Sequence, residues 1–155
     1  MFYSLVRTTR RHLPHWTIEG ATYFITFRTK GGSLTVQEQI LALEHFKLGD
    51  KAFYTLIAVI VMPDHVHVLL TPREIYSLSR IMKGFKGVAA HKINALRGNG
   101  GHVWQDESYD RIVRNDKELR RFFRYMLDNP LKKGLCEDPW TYHGWYCNQS
   151  LIPLD

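Results

Sequence analysis

The sequence predicts an α+β domain in which two helices cover one face of an antiparallel sheet. Short stretches rich in β-branched and aromatic residues mark strands, and longer stretches with apolar residues at helical spacing mark helices. These elements follow the order strand, helix, strand, strand, helix, strand. That order is the split βαβ arrangement of ferredoxin-like and RRM-like domains, which leaves the other face of the sheet available for ligands.

The length of the chain suits one domain. Its 155 residues, 45% of them hydrophobic, are enough to bury a core, so we expect a single domain over 1–155. Residues 1–19 mix basic, aromatic and proline residues without periodicity, which predicts an irregular basic arm. Residues 131–155 are interpreted as an irregular C-terminal tail whose aromatic side chains pack back onto the domain.

The first strand and the first helix have clear boundaries. The strand is predicted over 21–28, where residues that favour β-structure alternate between two faces, and a glycine pair follows it. The helix is expected to begin at Thr35, because Glu38 follows three residues later, as in a capping box. Its apolar residues continue at helical spacing until Gly49.

A β-hairpin comes next. Its first strand is predicted over 55–61, and Pro63 with Asp64 forms the turn. His65 and His67 then lie on the same face of the second strand, because successive side chains alternate between faces. Two imidazoles so placed can hold one divalent metal ion, although histidines at this spacing are also compatible with ordinary structural residues. A third ligand would decide between these alternatives.

A long second helix is predicted after the hairpin. Ser77 is its expected N-cap, one apolar stripe runs along it, and the glycine-rich segment 98–101 ends it. Lys83 and Lys86 lie off the stripe and give the helix a basic flank, which suits either a solvated surface or a track for phosphates. Two short extended segments are predicted afterwards, at 102–104 and 109–113.

The last strong element is a third helix with an apolar stripe. Asn115 is the expected N-cap with Glu118 three residues later, and Pro130 is interpreted as the end of the helix. Tyr125 and Asn129 lie one turn apart beside the stripe, since residues i and i+4 are neighbours on a helix. Docking of the stripe would therefore present a hydroxyl and an amide oxygen along one edge.

These side chains together suggest phosphoryl-transfer chemistry. A tyrosine phenol is ordinarily a poor nucleophile because its pKa is about 10. A metal ion and a nearby base can assist loss of its proton, and the phenolate can then attack phosphorus through a covalent intermediate. The candidates are His65 and His67 as ligands, Asn129 as third ligand and Tyr125 as nucleophile.

Composition narrows the class of protein and its location. Lys and Arg outnumber Asp and Glu by 21 to 15, and the pI of about 9.4 fits a polyanionic partner, although many basic proteins bind none. Cys136 and Cys147 lack the paired spacing of a zinc site or a disulfide framework. With no signal-peptide or membrane-spanning run, we expect a cytoplasmic protein with free thiols and no membrane partner.

Three motifs resemble those of the IS200-type single-tyrosine HUH transposases, and within them most closely the REP-associated tyrosine transposases. The similarity extends from about Arg10 to Trp145. The motifs are M-P-D-H-V-H at 62–67, V-W-Q-D-E-S-Y-D-R-I-V-R at 103–114 and Y-M-L-D-N-P-L-K-K-G-L at 125–135.

The resemblance implies an endonuclease and strand transferase of single-stranded DNA. In that family two histidines hold Mg²⁺ or Mn²⁺ on the scissile phosphate, and the tyrosine attacks to give a 5′-phosphotyrosine and a free 3′-hydroxyl. These roles would fall to His65, His67 and Tyr125. Asn129 stands where the better-known members have a glutamine ligand, one methylene longer, and Asp64 is interpreted as a turn residue.

The same resemblance implies recognition of a DNA hairpin with a single-stranded flank. The basic residues of the arm and the second helix are the candidates for this contact, and either a monomer or a homodimer is compatible with the sequence. The candidate DNA-binding residues are Arg10, Arg11, Lys83 and Lys86.

Other functions are compatible with parts of this pattern. A histidine-triad phosphoesterase needs a third histidine where this chain has Leu69. A non-catalytic, domesticated hairpin-DNA binder would retain the fold and the basic surface, but the intact histidines and tyrosine argue against it. No sequence feature favours a regulatory metal protein.

Overall fold

A six-stranded sheet forms the centre of the protein in the computed structural model, which describes the backbone of Thr8–Arg10 and residues 20–154. Every strand pair is antiparallel, and the order across the sheet is β1-β5-β2-β4-β3-β6. The strands are β1 (Thr8–Arg10), β2 (Tyr23–Thr29), β3 (Tyr54–Val61), β4 (His65–Pro72), β5 (Trp104–Ile112) and β6 (Trp145–Cys147).

The helices lie on both faces of this sheet. They are α1 (Val36–Leu48), α2 (Leu78–Arg97) and α3 (Asp116–Lys132). Helices α1 and α2 share a core with the inward side chains of β2 and β4, whereas α3 packs with Leu69 and Ile60 on the other face. The predicted split βαβ fold, with a further helix carrying the tyrosine, is therefore confirmed.

Local sequence signals set the helix boundaries. Thr35 accepts from the backbone N–H of Glu38, whose carboxylate accepts in return from the Thr35 N–H, so the predicted capping box is present. Ser77 and Asn115 cap α2 and α3 as predicted. Gly98 ends α2 with a φ of 70°, a left-handed conformation that glycine adopts without strain.

Helix α3 is longer than predicted. Pro130 lies inside it and the helix continues to Lys132, although a proline cannot donate to the carbonyl four residues back. Backbone N–H groups that follow the helix satisfy the carbonyls of its final turn instead. The N–H of Lys133 donates to the Asn129 carbonyl at 3.1 Å, and that of Leu135 donates to the Pro130 carbonyl at 2.9 Å.

Three predictions about the strands and the irregular segments need correction. The segments predicted at 102–104 and 109–113 overlap one longer strand, β5, whose backbone pairs with β2 across a single register shift. The predicted irregular arm 1–19 contains β1, and the predicted irregular tail 131–155 contains β6 and two 3₁₀ turns. Both short strands are stabilised by backbone hydrogen bonds to distant segments, which local sequence patterns do not record. The rest of the arm lies outside the described residues.

An ion pair joins α1 to the end of α2. The Arg97 guanidinium donates from Nε and Nη2 to the Glu38 carboxylate at 2.8 and 3.1 Å. These hydrogen bonds hold the pKa of Glu38 below its ordinary value, against the opposing effect of burial. Within the described part of the chain, no helix has the length and apolar character needed to cross a bilayer.

The substitution Arg97→Gln should lower the free energy of unfolding by about 1–3 kcal/mol at neutral pH, because a buried carboxylate loses charged hydrogen bonds. Folding lowers the pKa of Glu38, so its contribution is present above the unfolded value of about 4.3 and disappears as pH falls through the folded value. Urea denaturation across acidic pH should therefore show the two proteins converging. A difference that stays constant with pH would contradict this role, and Arg80→Gln on the same helix is the control.

Candidate metal centre and nucleophile

The two histidines of β4 lie on the sheet face that α3 partly covers. Alternation along the strand places Val66 and Val68 in the core under α1 and α2, and His65 and His67 on the opposite side. Both imidazoles are buried, with 6% and 5% of their residue surface exposed, and their ring centroids are 4.8 Å apart. The pair therefore lies in a largely desolvated position where it can act together on one ligand.

Hydrogen bonds on both sides fix the tautomer of His65. Its Nδ1 lies 2.7 Å from Asp64 Oδ1, and its Nε2 lies 3.1 Å from Asn129 Nδ2. A carboxylate can only accept and an amide nitrogen can only donate, so the proton is on Nδ1 and the lone pair is on Nε2. The hydrogen bond with His65 also holds the pKa of Asp64 below its ordinary value, despite partial burial.

His67 is held by β2. Its Nδ1 lies 2.7 Å from Thr26 Oγ1, and its ring stacks on Phe24 with centroids 5.3 Å apart. Burial lowers its pKa to about 3, and the nearby charge of Arg28 acts in the same direction. The ring is therefore neutral at physiological pH, which is the state in which an imidazole can bind a metal.

Helix α3 places Tyr125 and Asn129 against this pair. The Tyr125 ring approaches His67 edge-on with centroids 5.4 Å apart and contacts Phe24 at 6.4 Å. Tyr125 is 51% exposed, so a ligand on the open side of the sheet can reach it. Asn129, one turn further along, is only 8% exposed and contacts His65 directly. The structure thus brings together all four side chains predicted from the sequence, while their chemical roles stay predictions.

The donor set fits a divalent cation with open coordination positions. The two imidazoles each have their Nδ1 engaged, by Asp64 and by Thr26, which is the arrangement that orients histidine ligands through their other nitrogen. Asn129 Oδ1 is the available side-chain oxygen, but its Nδ2 donates to His65 Nε2, so the amide must turn away from that nitrogen for His65 to bind a metal. In the described ranges, no group of three or more His, Cys, Asp or Glu residues could hold a metal ion. A metal here would therefore depend on the amide or on oxygens of a ligand.

Comparison with known proteins identifies the family of this chain. The family model described as "Transposase IS200 like" matches residues 28–129, a segment that contains all four side chains. The chain belongs to the IS200-like transposase family.

Individual relatives point to one branch of this family. The transposase is 25% identical over 146 residues to the REP-associated tyrosine transposase of Escherichia coli K12, covering 89% of this chain and 86% of that protein. It is 24% identical over 102 residues to a putative REP-associated tyrosine transposase of Haemophilus influenzae, covering 58% of each. A solved structure, titled as a REP-associated tyrosine transposase bound to a REP hairpin, has a TM-score of 0.64 and 25% identity, covering 83% of this chain and 77% of that one.

Two of the predicted DNA-binding residues of this transposase lie on the face of the sheet opposite the histidines. Lys83 and Lys86 are on α2, which packs on the opposite face of the sheet. The Lys86 ammonium donates to three β5 carbonyls, the nearest that of Gln105 at 3.0 Å. The backbone of Arg10 pairs with β5, and Arg11 lies outside the described residues. DNA binding by these four residues stays a prediction.

Sequence reasoning did not identify two of the side chains that orient the site. The sequence identifies Asp64 only as a turn residue, but its carboxylate also hydrogen-bonds His65. Thr26 was assigned only to the alternating pattern of a strand, and the β2–β4 register places it directly opposite His67. An aspartate immediately before the first histidine was an available signal, whereas the threonine could be found only from the strand pairing.

The orienting hydrogen bonds make a prediction about metal affinity. Asp64→Ala and the nearly isosteric Thr26→Val should each weaken Mn²⁺ binding about 10–100-fold, because each removes the partner that fixes a histidine Nδ1. Isothermal titration calorimetry of the DNA-free protein would measure this effect. Glu44→Gln removes a negative charge from α1 and is the control. Unchanged affinity in both site variants would exclude an orienting role.

Proposed function

We propose that this transposase is a metal-dependent endonuclease and strand transferase of single-stranded DNA that acts through a 5′-phosphotyrosine intermediate. The observation that carries the proposal is the position of Tyr125, half exposed and in edge contact with His67, with Asn129 one helical turn away beside His65. A half-exposed phenol beside a buried pair of imidazoles is suited to nucleophilic attack on a phosphodiester.

The proposed substrate is a single DNA strand next to a hairpin. One support is the solved relative, whose title describes it as bound to a REP hairpin, and another is the membership of this chain in a transposase family. A third is the net charge of +6, which favours a polyanionic partner. Hairpin recognition also agrees with the Escherichia coli relative, which is named for its association with REP sequences.

Each side chain has a defined task in this reaction. The Tyr125 phenolic oxygen forms a bond to phosphorus, and the bond from phosphorus to the 3′ oxygen breaks. The proton lost by the phenol balances the proton gained by the 3′ oxygen, so the step needs no other reactant. Phe24 and His67 contact the tyrosine ring and restrict its orientation.

Two histidines and Asn129 would hold the metal. A bound Mg²⁺ or Mn²⁺ would polarise the phosphoryl oxygens as a Lewis acid. Asp64 and Thr26 already orient His65 and His67 for this task, and burial keeps His67 neutral. Joining strands is the same exchange in reverse, because the phosphotyrosine keeps the energy of the phosphodiester that was broken.

A covalent adduct assay tests the nucleophile. The protein is incubated with single-stranded hairpin oligonucleotides from its own genomic neighbourhood, with Mn²⁺, with Mg²⁺ or with chelator, and run on a denaturing gel. We expect an adduct that requires metal and that is lost in Tyr125→Phe, because the ring contacts remain but the hydroxyl is gone.

Tyr109 provides a matched control for this assay. It is 41% exposed and lies directly opposite Thr26 in the β2–β5 pairing, so it is a second accessible tyrosine on the same face. Tyr109→Phe should retain the adduct. An adduct that persists in Tyr125→Phe and disappears in Tyr109→Phe would reassign the nucleophile. DNA binding without any adduct or nick would favour the non-catalytic hairpin binder.

The role of Asn129 needs a separate test, because its amide could bind the metal or only donate to His65. Asn129→Ala removes both functions and should weaken Mn²⁺ binding about tenfold. Asn129→Asp keeps an oxygen ligand but cannot donate to the His65 Nε2 when ionised. If residue 129 is a metal ligand, Asn129→Asp should bind Mn²⁺ at least as tightly as the native protein does. If Asn129→Ala binds Mn²⁺ as tightly as the native protein, the amide is not a ligand and only donates to the His65 Nε2 lone pair.

A further inference from the structure

Three arginines surround one buried glutamate beside the tyrosine helix. We call Arg111, Arg114 and Arg121 the arginine cluster. Arg114 donates to Glu118 Oε2 from Nε at 3.1 Å and from Nη2 at 2.9 Å. Arg121 Nη2 lies 3.3 Å from the same oxygen, and Arg111 Nη2 lies 3.6 Å from it. A single carboxylate oxygen therefore serves three guanidinium groups.

The cluster has more positive charge than is required to neutralise the Glu118 carboxylate. Burial alone would raise the pKa of Glu118, but hydrogen bonds from Arg114 and the charges of Arg114 and Arg111 lower it overall, so the carboxylate is ionised at neutral pH. Three guanidiniums around one carboxylate leave a surplus of two positive charges. One arginine would be enough to compensate the buried carboxylate, so internal pairing does not account for the others.

The surplus charge faces solvent. The Glu118 side chain is 3% exposed, whereas the side chains of Arg111, Arg114 and Arg121 are 33%, 42% and 61% exposed. A buried anion thus fixes guanidiniums whose remaining donors can reach a ligand. Ordering these long side chains in advance removes part of the entropy cost that binding would otherwise carry.

Stacked aromatic rings connect the cluster with the candidate nucleophile. The guanidinium carbons of Arg111 and Arg121 lie 5.5 and 5.7 Å from the centroid of the Phe122 ring. Phe122 stacks on Phe24 with centroids 4.4 Å apart and planes 7° from parallel. Phe24 in turn contacts both His67 and Tyr125. The arginine cluster is therefore on the histidine side of the sheet, two rings away from the proposed metal centre.

We propose that the arginine cluster is a phosphate-binding site for the DNA strand that passes Tyr125. Guanidinium groups bind phosphate oxygens through paired N–H donors, and they stack on bases as well as on protein rings. The site would hold the backbone next to the scissile phosphate and orient it relative to the tyrosine, without reading sequence. This inference rests on the proposed function and adds the residues that position its substrate.

Arg121 is the informative position for a test. It is the most exposed member, and its distance to Glu118 is longer than the distances from Arg114. Arg121→Gln therefore leaves the buried carboxylate paired and the fold intact. Arg120→Gln is a matched control on the same helix with the same change in charge, since its Nη1 donates instead to the Leu154 carbonyl at 3.1 Å.

The experiment measures the salt dependence of DNA binding in a Tyr125→Phe background, where the strand stays intact. A fluorescent single-stranded oligothymidine is titrated at several NaCl concentrations by anisotropy. We expect Arg121→Gln to reduce the slope of log K against log salt by about 0.7, the value for one phosphate contact on a single strand. Arg111→Gln with Arg121→Gln should reduce it by about 1.4. Arg120→Gln should leave the slope unchanged.

Equal slopes for the Arg121 and Arg120 variants would overturn the inference and make the cluster a structural ion network. A second readout uses the tyrosine-intact protein, in which Arg121→Gln should raise KM for cleavage more than it lowers kcat. Arg121→Lys should restore part of the salt slope, because it keeps the charge but not the paired donors. The adduct assay on the unsubstituted protein reports the proposed function separately, so an adduct with unchanged slopes rejects the cluster alone.

Discussion

The docking of α3 onto the open face of the sheet is the contact on which the candidate site depends. The parallel stack of Phe122 on Phe24, with centroids 4.4 Å apart, and the burial of Met126 and Leu127 fix the helix in place. Such a ring pair contributes about 0.5–1.5 kcal/mol beyond the area it buries. Without this docking the histidines would remain on β4, but Tyr125 would have no fixed relation to them.

Burial of two imidazoles is costly unless their nitrogens have hydrogen-bond partners. Here the residue that satisfies each Nδ1 also orients the ring. Asp64 holds His65 from the turn that precedes it, and Thr26 holds His67 from the neighbouring strand. Desolvation keeps His67 uncharged and therefore ready to donate a lone pair. The low exposure of the site thus serves its proposed chemistry, while the exposed phenol of Tyr125 leaves a route for a ligand.

Most of the fold follows from local signals, because caps, glycine stops and apolar periodicity act within a few residues. Thr35, Ser77 and Asn115 all cap the helices that the sequence predicts. Strands β1 and β6 could not be found in this way, since each is three residues long and is defined by pairing with a distant strand. The site residues likewise fall into those that local sequence predicts and those that only strand pairing reveals. The four predicted side chains lie in sequence motifs, whereas Thr26 enters only through the register of two strands.

Glu118 has two roles at the start of α3: it accepts a backbone hydrogen bond there, and it holds the arginine cluster. Its Oε1 accepts from the Arg114 backbone N–H at 3.0 Å, which satisfies a donor just before the helix, while its Oε2 gathers the arginine cluster. Its own N–H is capped by Asn115 at 2.8 Å. Removing this carboxylate would disturb the helix start and release the guanidiniums together, so its loss could not separate folding from DNA binding. The Arg121 side chain belongs to the arginine cluster but takes no part in the backbone hydrogen bonds at the start of the helix. Its substitution therefore tests the charge of the cluster separately from the folding of α3.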